Sequence, residues 1–298
     1  KKGYKKIFNP TRKELNLLDM NSVESWFNEH KPDVVILCAA KVGGIHANNS
    51  NPADFILENL KIQTNVIEAS WKFNVKKFLF LGSSCIYPKV VSQPIKEEYL
   101  LSGSLEKTND AYAIAKIAGI KMCEALTFQY GFDAICLMPT NLYGPNDNFD
   151  SLNSHVFASF TRKFHEAVLK KHSILTLWGS GKTKREFLHV DDLADACVLC
   201  LEKFSPFINN NKNNGVKPIN YLNVGYGEDI SIYDLSILFK DISGFKGLIK
   251  WDLSKPDGTF RKLLDISKIK KLGWEPKIKL KDGIKSALDY YKKISKNF

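Results

Sequence analysis

A tyrosine, a lysine and a serine are the residues of this chain best suited to act together on a carbonyl group. Tyr112 and Lys116 lie four residues apart in a segment with a helical pattern, so they share one helix face. An ammonium beside the phenol favours its ionised form and makes a group with a pKa of about 10 a usable acid–base catalyst. Ser83 ends an apolar run and offers a hydroxyl to the same carbonyl oxygen. The Tyr-x-x-x-Lys spacing alone also fits a solvated helix face.

The elements that must position these residues alternate along the first half of the chain. The predicted strands are residues 6–8, 33–39, 77–82 and 133–138, and the predicted helices are residues 22–30, 54–73 and 109–130. Asp19 or Asn21 is the expected N-cap of the first helix, and Gly131 is expected to end the last. This alternation predicts an α/β fold with a Rossmann-like, doubly wound parallel sheet.

After Pro145 the alternation is less regular. Helices are predicted at 155–170, 191–202, 232–242 and 280–295, strands at 174–178, 219–224 and 247–251, and a surface loop at the polar tract 209–214. We therefore expect a nucleotide-binding domain at residues 1–145. Residues 146–298 are expected to form mainly a smaller α/β substrate lobe that exchanges some elements with the first domain.

A nucleotide-binding domain of this type opens with a strand, a Gly-rich turn and a helix. The chain begins near the end of where that helix would lie, so the first strand and the Gly-rich turn are expected to be absent from it.

Composition excludes several classes of protein. The 298 residues carry 43 basic and 32 acidic side chains, for a net charge of +11. No apolar run approaches the roughly 20 residues needed to span a membrane. Six cysteines without zinc-site spacing indicate reduced thiols in a cytoplasmic protein and no metal centre. The sequence has neither a concentrated basic helix nor an aromatic stacking platform, the features that would indicate nucleic-acid binding. The basic charge therefore suits a phosphorylated small molecule.

Several motifs, in order, carry a resemblance to a known family. Residues 82–88 (Gly-Ser-Ser-Cys-Ile-Tyr-Pro), 112–119 and 139–145 resemble the extended short-chain dehydrogenase/reductase superfamily. Within it, residues 39–48, 153–156 and 185–192 resemble the GDP-L-fucose synthases. The resemblance implies an NADPH-dependent enzyme that epimerises GDP-4-dehydro-6-deoxy-D-mannose at C3 and C5 and reduces C4 to give GDP-L-fucose. It also implies a homodimer built on the helices 54–73 and 109–130.

The resemblance assigns the catalytic roles. A ketone at C4 acidifies the hydrogens at C3 and C5, because the carbanion delocalises onto the ketone oxygen. Cys85 and His155 are the implied proton-transfer pair, and Tyr112 and Ser83 stabilise charge on the C4 oxygen. Cys85 follows Ser83 by two residues and would share its face if the strand geometry persists. Taken alone, Cys85 also fits a small buried hydrophobe and His155 a helix cap.

The resemblance further implies binding residues. Arg12 stands where NADP-preferring enzymes place a cation for the ribose 2′-phosphate, although a solvated surface arginine is the alternative. The other implied NADP(H) contacts are Leu81, Gly82, Ser83, Ser84, Lys116, Pro139, Thr140, Asn141, Leu142 and His155. The implied contacts to the GDP-sugar are Lys163, Trp178, Arg185, Asp257 and Lys262.

Two other functions compete with this one. A different sugar-nucleotide enzyme of the same fold, a 4-epimerase or a 4,6-dehydratase, is the nearest. Dehydratases are expected to carry acidic residues at the strand end where this chain has Ser83, Ser84 and Cys85, which favours epimerisation. The expected lack of the Gly-rich turn suggests a catalytically idle binding protein.

Overall fold

The computed structural model describes residues 3–150, 154–206, 220–255 and 257–295. Their α-helices, in chain order, are α1 (Met20–His30), α2 (Ile45–Ser50), α3 (Pro52–Lys72), α4 (Asp110–Tyr130), α5 (Val156–Leu169), α6 (Val190–Lys203), α7 (Ile232–Ser243), α8 (Ser267–Lys271) and α9 (Leu280–Ile294). Short 3-10 helices lie at Ser84–Ile86 and Glu97–Tyr99. None of the helices in these ranges is long and apolar enough to cross a membrane.

The strands form three small sheets. In chain order they are β1 (Val34–Leu37), β2 (Lys77–Leu81), β3 (Ala134–Pro139), β4 (Asn141–Tyr143), β5 (Ile174–Trp178), β6 (Lys184–His189), β7 (Tyr221–Val224), β8 (Asp229–Ser231), β9 (Leu248–Asp252) and β10 (Arg261–Lys262). The first sheet is parallel with order β1-β2-β3-β7. The second runs β10-β6-β4, with β8 antiparallel to β6, and the third pairs β5 with β9.

The first sheet is buried because its central strands are apolar on both faces. Phe78, Leu79 and Phe80 of β2 are fully buried, as are residues 134–138 of β3. Helices α3 and α4 pack against each other and against this sheet, and Gly119 permits the approach, since a Cβ there would lie 2.7 Å from the Phe80 ring. The predicted Rossmann-like α/β fold is confirmed.

The second half of the chain contributes to this first sheet. Strand β7 pairs with β3, and α6 buries Leu193, Ala196, Cys197 and Cys200 in the same hydrophobic cluster. Elements from beyond residue 145 are therefore part of the first sheet and its core. Ile219, the start of the predicted strand, and the polar tract 209–214 lie outside the described residues.

A second hydrophobic cluster is rich in aromatic side chains. Phe157, Phe160 and Phe164 of α5 meet Phe239 of α7 and Phe245. Helix α9 packs on α5 and α7. Two clusters fit a division into two units, although the boundary at residue 145 remains a prediction.

The capping predictions are confirmed. The Asp19 side chain accepts a hydrogen bond from the backbone N–H of Asn21, and Gly131 ends α4 with φ of +73°. The predicted helices and strands otherwise match the structure to within a few residues at their ends.

The predicted strand at residues 6–8 is wrong. This segment has no regular secondary structure and pairs with no strand among the described residues, and Ile7 is exposed. A strand requires a neighbour to supply its hydrogen bonds. Phe8 instead packs edge-on against the rings of Trp26 and His30 on α1.

Candidate active site

Ser83 and Cys85 follow the carboxyl end of β2. Ser83 is extended, but the 3-10 helix begins at the next residue, and the Ser83 Oγ accepts a hydrogen bond of 3.2 Å from the Cys85 backbone N–H. The expectation that strand geometry carries Cys85 onto the face of Ser83 is therefore wrong, because the chain turns first. Both side chains nevertheless lie near the Tyr112 phenol and influence its pKa.

Tyr112 and Lys116 occupy the first two turns of α4, on one face as predicted. The Lys116 Nζ lies 5.8 Å from the centroid of the Tyr112 ring and donates a 2.9 Å hydrogen bond to the Leu81 carbonyl oxygen. Helix α4 is thereby tied to the end of β2, one residue before Gly82.

The predicted effect of Lys116 on the phenol is wrong. Desolvation raises the pKa of Tyr112, the nearby Cys85 adds to this, and the Ser83 hydrogen bond offsets it only in part. The ammonium is bound to the Leu81 carbonyl and does not reverse the effect of burial. Tyr112 is therefore a protonated phenol near neutrality, which suits it to donate a proton.

Lys116 is itself buried, at 3% exposure. Burial lowers the pKa of Lys116 to about 8, so the ammonium stays charged near neutrality but loses its proton just above it. It uses one of its three N–H donors on the Leu81 carbonyl, so the others remain available to a ligand.

The Cys85 sulfur has polar neighbours from distant parts of the chain. Nδ2 of Asn109 lies 3.2 Å from Sγ, and Nζ of Lys262 lies 3.9 Å from it. The sequence analysis placed Asn109 at the start of the predicted helix 109–130 and gave it no part in the site. The structure brings together Ser83, Cys85, Tyr112 and Lys262, with Lys116 behind the phenol.

His155 lies at the N-cap position of α5 and makes no side-chain capping bond, so the capping alternative is wrong. The residue as a whole is exposed, but desolvation of the ring lowers its pKa, an effect that the charge of Asp147 partly offsets. Within the described ranges, no hydrogen bond joins His155 to Cys85. The pairing of these two side chains across a sugar ring remains a prediction.

The predicted substrate residues form a continuous path away from Cys85. Lys262 of β10 pairs in register with Arg185 of β6. An Arg185 guanidinium N–H donates to the Asp257 carbonyl oxygen at 3.3 Å. The Asp257 carboxylate accepts hydrogen bonds of 2.7 Å from both the backbone N–H and the hydroxyl of Ser180, two residues beyond Trp178.

Trp178 ends this path with an exposed ring. Its side chain is 46% exposed, and the ammonium groups of Lys163 and Lys255 lie 5.2 and 5.3 Å from the ring centroid. Burial lowers the pKa of Lys163. An exposed aromatic face with two cations fits a nucleobase joined to phosphates. Lys255 was not identified from the sequence.

Glu186 of β6 links the second sheet to two neighbouring segments through its side chain. Its buried carboxylate accepts hydrogen bonds from the backbone N–H groups of Gly227 at 2.7 Å and Leu264 at 3.1 Å. Burial raises the pKa of Glu186 to about 7. These contacts hold β6 and the segment that follows β10 in the register that brings Arg185 beside Lys262.

The predicted cofactor residues lie at neighbouring strand ends. Leu81 ends β2, and residues 82–84 follow it; Pro139 ends β3, the parallel neighbour of β2, and residues 140–142 lead into and through the start of β4. Thr140 and Asn141 donate side-chain hydrogen bonds to the Glu186 carbonyl oxygen, so they also position β6. Arg12 is exposed in a turn, and no hydrogen bond or ion pair ties it to the other site residues in the described ranges.

These observations fit a nicotinamide dinucleotide at the strand ends. Open α/β sheets bind ligands there, and Lys116, whose Nζ lies 5.8 Å from the Tyr112 ring centroid, has N–H donors beyond the one bound to Leu81. A parallel α/β sheet with a serine at a strand end and a Tyr–Lys pair on the following helix defines an oxidoreductase of the short-chain dehydrogenase/reductase type.

The comparisons with known proteins agree with this class. Residues 1–213 match the model of the NAD dependent epimerase/dehydratase family. GDP-L-fucose synthase 1 of Arabidopsis thaliana is 53% identical over 291 residues, covering 98% of this chain and 86% of that protein. GDP-L-fucose synthase of Escherichia coli K12 is 49% identical over 282 residues, covering 94% of this chain and 87% of that protein.

A solved structure has the same fold. The GDP-mannoheptose C4 reductase of Campylobacter jejuni with NADP bound superposes with a TM-score of 0.84 at 39% identity, covering 95% of this chain and 88% of that one. The chain belongs to the NAD dependent epimerase/dehydratase family and, within it, to the GDP-L-fucose synthases. The family resemblance predicted from the motifs is confirmed.

Proposed function

We propose that this chain uses NADPH to convert GDP-4-dehydro-6-deoxy-D-mannose into GDP-L-fucose, by epimerisation at C3 and C5 and reduction at C4. The observation that carries the proposal is the position of the Cys85 sulfur. A thiol suited to carbon acid chemistry lies beside Tyr112 and Ser83, and the path through Lys262 and Arg185 leads from it to the exposed Trp178 ring. The names of the relatives support the same reaction.

Each half of the reaction has its own residues. For epimerisation, Cys85 and His155 are the proposed base and acid on opposite faces of the ring, and Ser83 and Tyr112 stabilise the enolate oxygen at C4. For reduction, NADPH held at the strand ends would supply the hydride for C4. Tyr112 donates its phenolic proton to the C4 oxygen, and Lys116 holds the nicotinamide ribose.

The remaining residues bind and orient. Lys163, Trp178, Arg185, Asp257 and Lys262 are the proposed contacts to the GDP-sugar, and the lysines and the arginine offset the diphosphate charge. The proposed NADP(H) contacts are Arg12, Leu81, Gly82, Ser83, Ser84, Lys116, Pro139, Thr140, Asn141, Leu142 and His155. The six free thiols support the proposed cytoplasmic location.

The proposed assembly is a homodimer in which α3 and α4 of two copies form a four-helix interface. Leu57 on α3 and Ile114 and Phe128 on α4 are exposed apolar side chains, which supports an interface there. Sedimentation of the purified protein tests it: a dimer is expected, and Ile114→Glu should yield monomers.

Incubation of the protein with NADPH and GDP-4-dehydro-6-deoxy-D-mannose tests the function. Loss of NADPH absorbance with formation of GDP-L-fucose, identified by NMR, is the expected result. Formation of an unepimerised 6-deoxy sugar would instead indicate a simple 4-reductase.

A further inference from the structure

Asn109 occupies the N-cap position of α4, three residues before Tyr112. Asparagine favours this position because its side-chain oxygen accepts a hydrogen bond from a free backbone N–H of the first turn. The Asn109 side chain makes no such bond. Its Nδ2 donates to the Cys85 sulfur at 3.2 Å, so the side chain is directed to the site and not to the helix.

The oxygen of this amide lacks a hydrogen-bond partner in the described part of the chain. The Asn109 Oδ1 is buried and has no hydrogen-bond partner among the described residues. Buried acceptors are nearly always paired, so this one needs an explanation. The amide can rotate by half a turn without losing any hydrogen bond except the one to Cys85. Rotation replaces a donor facing the sulfur with an acceptor, and an amide can therefore pair with a thiolate or with a thiol S–H.

Two basic side chains lie near the sulfur. The Lys262 ammonium lies 3.9 Å from Sγ, and Arg185 interacts electrostatically with Cys85. The thiolate is the form of a cysteine that accepts a proton. Of the three side chains Lys262, Arg185 and Asn109, only Asn109 is neutral, and only Asn109 can also accept a hydrogen bond.

We propose that Asn109 is the positioning residue of Cys85, holding the sulfur in place and turning its amide to match the protonation state of the sulfur. The inference rests on the proposed function. In the step it serves, the C–H bond at C3 or C5 of the keto sugar breaks. Its proton forms the S–H bond of Cys85, and its electron pair moves to the C4 oxygen as an enolate. Nδ2 donates to the thiolate before transfer, and Oδ1 accepts from the thiol after it.

Asn109→Asp is the sharpest test, because aspartate has the same shape, lacks the N–H donors and brings a negative charge beside the sulfur. A carboxylate at a helix N-terminus is favourable, so α4 should still form. Asn51→Asp is the matched control: Asn51 is the N-cap of α3, another helix of 21 residues, and likewise makes no side-chain capping bond. Asn109→Ala removes the amide without adding charge and is expected to act in the same direction.

The first readout is alkylation of Cys85 by iodoacetamide in the protein without substrate or cofactor, followed by mass spectrometry of the tryptic peptide 78–89. Loss of a hydrogen bond to a charged group should slow alkylation about tenfold or more in Asn109→Asp, and Asn51→Asp should match the unaltered protein. An unchanged rate in both Asn109 variants would overturn the proposal.

The second readout separates the half-reactions. Deuterium incorporation from D₂O into the keto sugar should fall by about tenfold or more in Asn109→Asp, whereas oxidation of GDP-L-fucose by NADP⁺ should stay within about twofold. Equal losses of deuterium incorporation and of GDP-L-fucose oxidation would indicate a merely structural role and would also overturn the proposal. If the unaltered protein incorporated no deuterium, the proposed function would fail, and alkylation would still test the contact between Asn109 and Cys85.

Discussion

The ammonium nitrogen of Lys262 lies 3.9 Å from the sulfur of Cys85, although 177 residues separate them in the chain. Lys262 reaches this position because β10 pairs with β6, which aligns it with Arg185. The proposed chemistry of the first sheet and the proposed substrate contacts of the second sheet therefore form one site.

Replacing Tyr112 with Phe should abolish reduction while the protein stays folded. The phenol is the proposed proton donor to the C4 oxygen, and general-acid catalysis contributes about 10²–10⁴-fold to a rate. The rate of NADPH oxidation with the keto sugar should fall by that factor. Tyr130→Phe, at the other end of α4, is the control and should keep its activity. A Tyr112→Phe protein that is as active as the parent would remove the phenol from the mechanism.

Replacing Cys85 with Ser should block epimerisation and leave reduction partly usable. A hydroxyl is a far weaker base than a thiolate at neutral pH, but it leaves Tyr112 and Ser83 in place. Deuterium exchange into the keto sugar should therefore be lost, while GDP-L-fucose should still be oxidised by NADP⁺. Cys38→Ser controls for loss of a thiol elsewhere. Normal exchange in the Cys85 variant would exclude its proposed role as a base.

Activity should decline as the pH rises through about 8, because burial lowers the pKa of Lys116 to about 8. Below that pH the ammonium is charged and can hold the nicotinamide ribose; above it the amine is neutral. The pKa of Tyr112 is raised, so the phenol remains protonated over this range. The profile of kcat/KM for NADPH against pH, which reports groups of the free enzyme, should show this decline.

Lys116→Met should have low kcat/KM for NADPH and no such transition. Lys121→Met, an exposed lysine of α4 paired with Glu124, should keep the parent profile. A transition near pH 8 that survives in Lys116→Met would assign it to another group.

Trp178→Ala should weaken binding of the GDP-sugar without slowing the chemistry. The ring is half exposed and flanked by two ammonium groups, and an aromatic and cation–π platform of this kind corresponds to about a tenfold change in KM. We expect kcat to change little, since the ring belongs to the proposed binding path. Trp178→Phe should restore much of the affinity. A large fall in kcat with unchanged KM would contradict this assignment.

Local patterns predicted the parts of the site that lie within one element. The spacing of Tyr112 and Lys116 predicted a shared helix face, and the apolar run before Ser83 predicted the strand that carries it. The pKa of Tyr112 could not be predicted in this way, because it depends on how deeply α4 packs.

Contacts between distant segments could not be predicted from local sequence patterns. Strand β10 has only two residues, and its pairing with β6 depends on Glu186, whose carboxylate binds backbone N–H groups more than 40 residues away. Asn109 was predicted only as the first residue of the helix 109–130, without a part in the site. Its contact with Cys85 arises from the 3-10 helix at residues 84–86, which the sequence did not predict.

The most direct test of the central claim is the reaction of the unaltered protein with NADPH and GDP-4-dehydro-6-deoxy-D-mannose in D₂O, with the product analysed by NMR. We expect GDP-L-fucose that carries deuterium at both C3 and C5, since both hydrogens pass through side chains that exchange with solvent. A reduced product that retains the manno configuration and carries no deuterium at these carbons would contradict the account.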